Sequence, residues 1–186
     1  MAARHDATER RNLELFGYGI KGFTLSMIET AVEVSGGRVD GEAVGRLLAL
    51  GKEMLAHPVD LIDGAAETVR ALAVSHRLVL VTKGDLIHQE QKVARSGLAE
   101  HFERVEIVSE KDEATYAAIL GRMGVAPERF CMVGNSVRSD VLPVLAIGGH
   151  AVHVPYAITW HHEVVDGHDG AFPVLASLAD VVPWLG

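Results

Sequence analysis

One cysteine, Cys131, is all the sequence offers toward disulfide chemistry. No internal disulfide can form, and the chain suits a reducing compartment. The residue sits in the apolar run FCMVG, where a thiol behaves as a small buried hydrophobe and not as a nucleophile. Positive charge is also short, since 17 Lys and Arg against 25 Asp and Glu leave a formal net charge of −8. That sign repels nucleic-acid phosphates over most of the surface and disfavours nucleic acid as a partner, so none is expected. No apolar run reaches membrane-spanning length, and MAARHDATERRN lacks the apolar stretch of a signal peptide. No Gly-x-Ser-x-Gly occurs, which removes the serine nucleophile elbow. These absences predict a soluble cytoplasmic protein with no membrane partner. What is present, 48% hydrophobic residues over 186 positions, suffices for one sizeable domain or a domain with an accessory lobe.

The first sixty residues read as helices only. ARHDATERRNLELF has helical spacing, with Leu13 and Phe16 on one side. FTLSMIETAVEV places Phe23, Met27, Ile28 and Ala31 on one face and stops at Ser35-Gly36-Gly37. A third helix over Gly41 to Ala56 carries Val44, Leu47, Leu48 and Leu55, and Pro58 closes it. From residue 59 the rhythm changes to helix alternating with strand. Asp63 is placed to cap GAAETVRALAVS. The strand RLVLVT and the helix DLIHQEQKVARSG follow, then the strand VEIVS and the helix DEATYAAILGRMG. The strand RFCMVG, the helix SVRSDVLPVLAIGG, the strand HAVHVP and the amphipathic LASLADVVPWL complete the chain. Short Val/Leu/Ile strands between helices indicate an α/β fold, an open parallel Rossmann-like sheet covered on both faces. The division is a helical lobe at residues 1–58 and an α/β core at 59–186.

Two patterns imitate function. GYGIKG, Gly17 to Gly22, matches the dinucleotide-binding glycines letter for letter, but a polar helix precedes it where that fingerprint needs a strand. It reads as a helix–helix turn, with Lys21 as a candidate contact for an anionic ligand. His161-His162-Glu163 with Asp166 lacks the second histidine of a zinc helix, and His150, His153 and His168 show no ligand spacing. They read as surface or loop residues.

In an open parallel sheet, ligands bind beyond the carboxyl ends of the strands. Three such ends carry polar groups. Thr82-Lys83-Gly84 offers a hydroxyl and backbone N–H groups ahead of a helix N-terminus near Asp85, a receptor for phosphate-like oxygens. Lys111 opens the helix DEATYAAIL, where a cation has the wrong sign for the helix dipole. Neutralising a carboxylate and a phosphoryl group gives it a reason to be there. In MVGNSVRSD, Asn135, Ser136, Ser139 and Asp140 group oxygen ligands of the kind Mg²⁺ prefers. Each end also has a plain reading, as strand end, solvated lysine or helix cap.

In order and spacing these groups resemble the haloacid dehalogenase-like (HAD) hydrolase superfamily. Thr82 after VLV is similar to its second motif, Lys111 to its third, and Gly134-Asn135-Ser136-x-x-Ser139-Asp140 to its fourth. The helices before residue 60 resemble its inserted cap. The resemblance implies phosphoryl transfer through an aspartyl intermediate, with Mg²⁺ as cofactor and a small phosphorylated metabolite as substrate. It implies that Thr82 and the Lys83 amide hold phosphoryl oxygens, that Lys111 is catalytic, offsetting negative charge, and that Asp140 and Asn135 position the metal.

The family's first motif, an apolar strand ending Asp-x-Asp before the cap, does not occur in these 186 residues. HDATE offers Asp6, but Arg4 stands where its partner carboxylate would fall and no strand surrounds it. Asn135 also replaces the more usual Asp of the fourth motif. The favoured expectation is a Mg²⁺-dependent phosphatase whose natural start lies upstream, the chain as given being inactive for want of its nucleophile. A catalytically inactive HAD-like binding protein is the alternative. A third reading has a second copy complete the cleft in a homo-oligomer. The resemblance leaves phosphatase against dehalogenase open.

Overall fold

The structure, a computed structural model, describes residues 2–157 and 172–186. The histidines and acids at 161, 162, 163, 166 and 168 lie outside the described residues. The chain divides into two compact units, Met1–Asp60 with Lys83–Gly97 and Leu61–Thr82 with Leu98–Gly186.

The first unit contains helices α1 (Ala2–Phe16), α2 (Ile20–Ser35), α3 (Gly41–Ala56) and α5 (Leu86–Arg95). GYGIKG joins α1 to α2, with Gly17 at φ +67° and Gly19 as the residue ahead of α2. A helix enters the turn where a dinucleotide site would need a strand. Asp40 caps α3 by accepting the Ala43 N–H at 2.7 Å, and Gly36 ends α2 in the left-handed conformation. The packing differs from the apolar stripes expected of α2 and α3. The buried residues of α2 are Gly22, Thr24, Ser26 and Thr30, and that of α3 is Gly51, while Leu48 stays 45% exposed. Short side chains let the backbones approach, and polar ones then bond across the gap. Asn12 of α1 donates to Ser26 at 3.1 Å and to Glu29 at 2.6 Å, and Arg11 reaches Glu29 at 2.8 Å and Glu33 at 3.0 Å.

The second unit is the α/β part. Its strands are β1 (Val79–Lys83, whose last residue counts with the first unit), β2 (Arg104–Val108), β3 (Cys131–Gly134) and β4 (His150–His153). Its helices are α4 (Ala65–Ala73), α6 (Glu113–Met123), α7 (Leu142–Ala146) and α8 (Val181–Leu185). All four strand segments expected from the sequence form strands. They make two sheets of two, β1 with β2 and β3 with β4, the latter parallel with Cys131 opposite His150 and Gly134 opposite His153. On its other side β4 meets Val174 in an isolated bridge. Among the described residues no ladder joins β1 to β3, so those two strands do not pair directly. Both still contribute to one apolar cluster, in which Val81 and Met132 pack with Tyr116, Ile119, Val141 and Val144.

Two local expectations are corrected. Asp63 does not cap α4: Gly64, at φ +76°, precedes the helix and no side chain caps it. The single helix expected over SVRSDVLPVLAIGG is a π-helical turn, Val137–Val141, followed by the short α7. Pro143 explains the break, because its ring crowds the carbonyl four residues back, that of Ser139, and it has no N–H to offer there.

Candidate functional site

Within the α/β unit, the structure brings Lys111 and Asp140 together. Lys111 lies in the loop between β2 and α6, and its Nζ donates to Asp140 Oδ1 at 2.7 Å. Both side chains are largely removed from water, at 12% and 5% exposure. Asp112 caps α6 through the Thr115 N–H at 2.8 Å, which leaves the neighbouring Lys111 ammonium to its carboxylate partner. The other carboxylate oxygen of Asp140 accepts the Ser136 N–H at 3.0 Å. The group is therefore charge-balanced and held on both oxygens.

The turn carrying Asp140 is built from β3. Gly134 ends that strand, and a Cβ there would overlap the Asp140 carboxylate. Ser136 caps the π-helical turn, its Oγ accepting the Ser139 N–H at 3.0 Å. Of the residues grouped from sequence as oxygen ligands, Ser136 thus serves as the cap. Asn135 is exposed, and its backbone carbonyl accepts a bond from His153 Nε2 at 3.1 Å.

Thr82 is half-buried near the end of β1, one residue past Val81, and Val81 shares its apolar cluster with Val141, the residue after Asp140. The next residues belong to the first unit. Lys83 Nζ stands 4.2 Å over the ring of Tyr18, a cation–π contact. Gly84 adopts φ +139°, which favours glycine, and turns the chain so that Asp85 caps α5 by accepting the His88 N–H at 3.0 Å. Lys21, the candidate anion contact, instead bonds Asp85 Oδ2 at 2.9 Å. Hydrogen bonding to Lys21, then to the His88 N–H, holds the Asp85 carboxyl below its ordinary value. Asp6 lies inside α1, in no strand, beside Arg10 at 3.4 Å.

Toward Mg²⁺ the described residues supply one buried carboxylate, already balanced by Lys111, and one exposed amide. No three His, Cys, Asp or Glu side chains converge among them. Mg²⁺ is usually held by one or two carboxylates with substrate oxygens and waters, so this donor set does not form a resident site by itself. Burial raises the Cys131 thiol above its ordinary pKa, in keeping with a spectator.

Reading the sequence missed Tyr116 and Tyr18. Tyr116 had a signal: a phenol inside the apolar stripe of α6, three and four residues before Ile119 and Leu120, which demands a partner for its hydroxyl. Tyr18, between two glycines, had none beyond its place in the turn.

A profile described as a haloacid dehalogenase-like hydrolase matches residues 4–148. A crystal structure of a haloacid dehalogenase-like family hydrolase from Xanthomonas campestris is 54% identical, with a TM-score of 0.80. It aligns with 82% of this chain and 66% of its own. Glyceraldehyde 3-phosphate phosphatase from Methanothermobacter thermautotrophicus is 34% identical over 89 residues, 45% of this chain and 39% of that protein. A predicted phosphoglycolate phosphatase from Haemophilus somnus shares the fold at 16% identity, with a TM-score of 0.66 over 99% of this chain and 91% of its own. The chain thus spans well under half of that curated relative and 66% of the Xanthomonas hydrolase.

Proposed function

The chain belongs to the haloacid dehalogenase-like hydrolase family, and on that premise we propose that it carries the phosphate-handling half of a phosphatase for a small phosphorylated metabolite. The observation that carries this reading is the Lys111–Asp140 pair, two opposite charges 2.7 Å apart at the carboxyl end of β3. A cation largely withdrawn from water is suited to offset a phosphoryl group's charge. In this reading the Thr82 hydroxyl and the Lys83 amide hold phosphoryl oxygens, and Lys111 neutralises the charge that accumulates as the ester bond breaks. Asp140, with Asn135 nearby in the chain, is the part of a metal site that the described residues provide. Hydrolases of this family generally use Mg²⁺, which would polarise the phosphoryl group once bound.

The family's attack on phosphorus uses the first carboxylate of an Asp-x-Asp that ends a strand, and no strand among the described residues ends in that pattern. We therefore expect no turnover from the chain as given. That same gap favours the second reading, an inactive binding protein that keeps the anion site. Phosphatase is preferred over dehalogenase because the curated protein similar to this chain is named as a phosphatase.

The test is ligand-induced stabilisation. Inorganic phosphate at one hundred times its Kd should stabilise the chain by about 2.7 kcal/mol. Thr82→Val, which removes a hydroxyl and keeps the shape, should cut that effect sharply. An unfolding curve that ignores phosphate, or a shift that survives Thr82→Val intact, would overturn the assignment.

A further inference from the structure

We infer that Tyr116 is a positioning residue for the Lys111–Asp140 pair, acting through the π-helical turn that carries Asp140. The inference begins at Pro143. In an α-helix the carbonyl of residue 139 would receive the N–H of residue 143, and proline has none. The proline ring also pushes that carbonyl away from the helix axis, and the backbone answers with a π-helical turn over Val137–Val141. Pro143 therefore cannot close the usual four-residue bond to the Ser139 carbonyl, which lies in a buried stretch where backbone acceptors need donors.

Tyr116 supplies a donor. Its hydroxyl donates to the Ser139 carbonyl at 3.0 Å, and the residue is fully buried. The ring is fixed by its neighbours in the apolar cluster and by Phe130, whose centroid lies 6.1 Å away. Asp140 is the next residue after the anchored carbonyl. Its carboxylate points back to the Ser136 N–H at 3.0 Å and out to Lys111 Nζ at 2.7 Å. Rotation of the Ser139–Asp140 peptide would move both contacts, so the phenol on α6 fixes the direction in which Asp140 presents its charge.

The experiment reads the ¹⁵Nζ signal of Lys111, which ion pairing and low exposure should protect from rapid exchange. Tyr116→Phe removes only the hydroxyl, and it should shift or broaden that signal and weaken inorganic phosphate binding about tenfold, the worth of one hydrogen bond at the upper end. Ile119→Val trims the same apolar cluster without touching Ser139, and it should leave both readouts as in the parent. Pro143→Ala returns an N–H four residues beyond Ser139, so adding it to Tyr116→Phe should restore the Lys111 signal. An unchanged Lys111 signal in Tyr116→Phe overturns the inference, as does an equal change in Ile119→Val. The phosphate arm rests on the function proposed above. Should the parent chain fail to bind phosphate, that reading falls, while the Lys111 signal still decides the role of Tyr116.

Discussion

Asp140 has more to lose than any other charged residue described in the α/β unit, because almost none of its surface meets water. Its hydration is replaced by one ammonium and one backbone N–H, and removing one partner of such a pair strands the other. Lys111→Ala should therefore destabilise by about 3 kcal/mol, the lower end of the usual range, since Lys111 keeps some contact with solvent. Lys111→Met combined with Asp140→Asn removes both charges and should recover much of that loss. Urea unfolding of the two variants checks this; a loss below about 0.5 kcal/mol for Lys111→Ala would be the value of a solvated surface pair. Gly134 is constrained from the other side. A Cβ at that position would overlap a carboxylate that is held on both oxygens and cannot swing aside. Gly134→Ala should lower stability by about 1–3 kcal/mol, as overpacking does, and displace the Lys111 signal together with it. The glycine was visible in the sequence as a tight turn, but its contact with Asp140 was not, because close approach depends on how the π-helical turn folds back.

Helix α5 ties its charge state to the stability of the first unit. Asp85 is held below the ordinary carboxyl value, chiefly by Lys21. His88 is held below the ordinary imidazole value, first by burial and then by the charge of Lys92, with Asp85 opposing and Arg95 and Lys21 adding. Both groups have depressed values in the folded chain, so the stability they contribute is present above their unfolded values and lost as pH falls through the folded ones. The His88 part should fade as pH drops below about 6.5, and the Asp85 part only below about 3.9. Thermal melts between pH 7 and pH 5 should show a decline that His88→Asn flattens; an unchanged slope in that variant would remove His88 as the source. At the α2–α3 crossing, Gly51→Ala should gain about 1 kcal/mol of helix propensity. Its Cβ, however, would overlap Thr24, whose hydroxyl is tied to the Ile20 carbonyl at 2.7 Å. The clash should win, and Gly51→Ala should lower the melting temperature. These elements also show what a sequence can reveal. Helix α3 runs from Gly41 to Ala56, as its apolar spacing and the stop at Pro58 predict. The buried face of α2 escaped because small polar residues, and not the apolar ones, make the contact. Pro143 stood in plain sight within SVRSDVLPVLAIGG, yet periodicity alone reads through a proline that converts one turn to π geometry.

For the molecule as a whole, the sheet is where sequence and structure meet on function. The order of strands, and the placement of Lys111 and Asp140 beyond their ends, follow from alternating apolar runs and polar strand termini. What alternation could not say is whether β1 and β3 would close on each other. They do not, and the α/β unit holds two pairs, β1 with β2 and β3 with β4. Two-stranded sheets are marginal alone, and here both lean on the one cluster around Tyr116 and Val141. A strand bonded on one side presents a template to another strand on the other. If the proposed reading holds, a segment of about five apolar residues ending Asp-x-Asp, joined ahead of Met1 by a flexible linker, should pair there and bring the absent nucleophile beside Lys111. Two changes are expected together. The urea m-value should rise, because unfolding would expose additional surface. Hydrolysis of p-nitrophenyl phosphate should appear in Mg²⁺, and vanish when the first Asp of the added segment becomes Asn. A scrambled segment of the same composition should give neither. With no turnover and an m-value equal to that of the scrambled control, strand completion would be excluded, and the chain would stand as an anion-binding member of a hydrolase family.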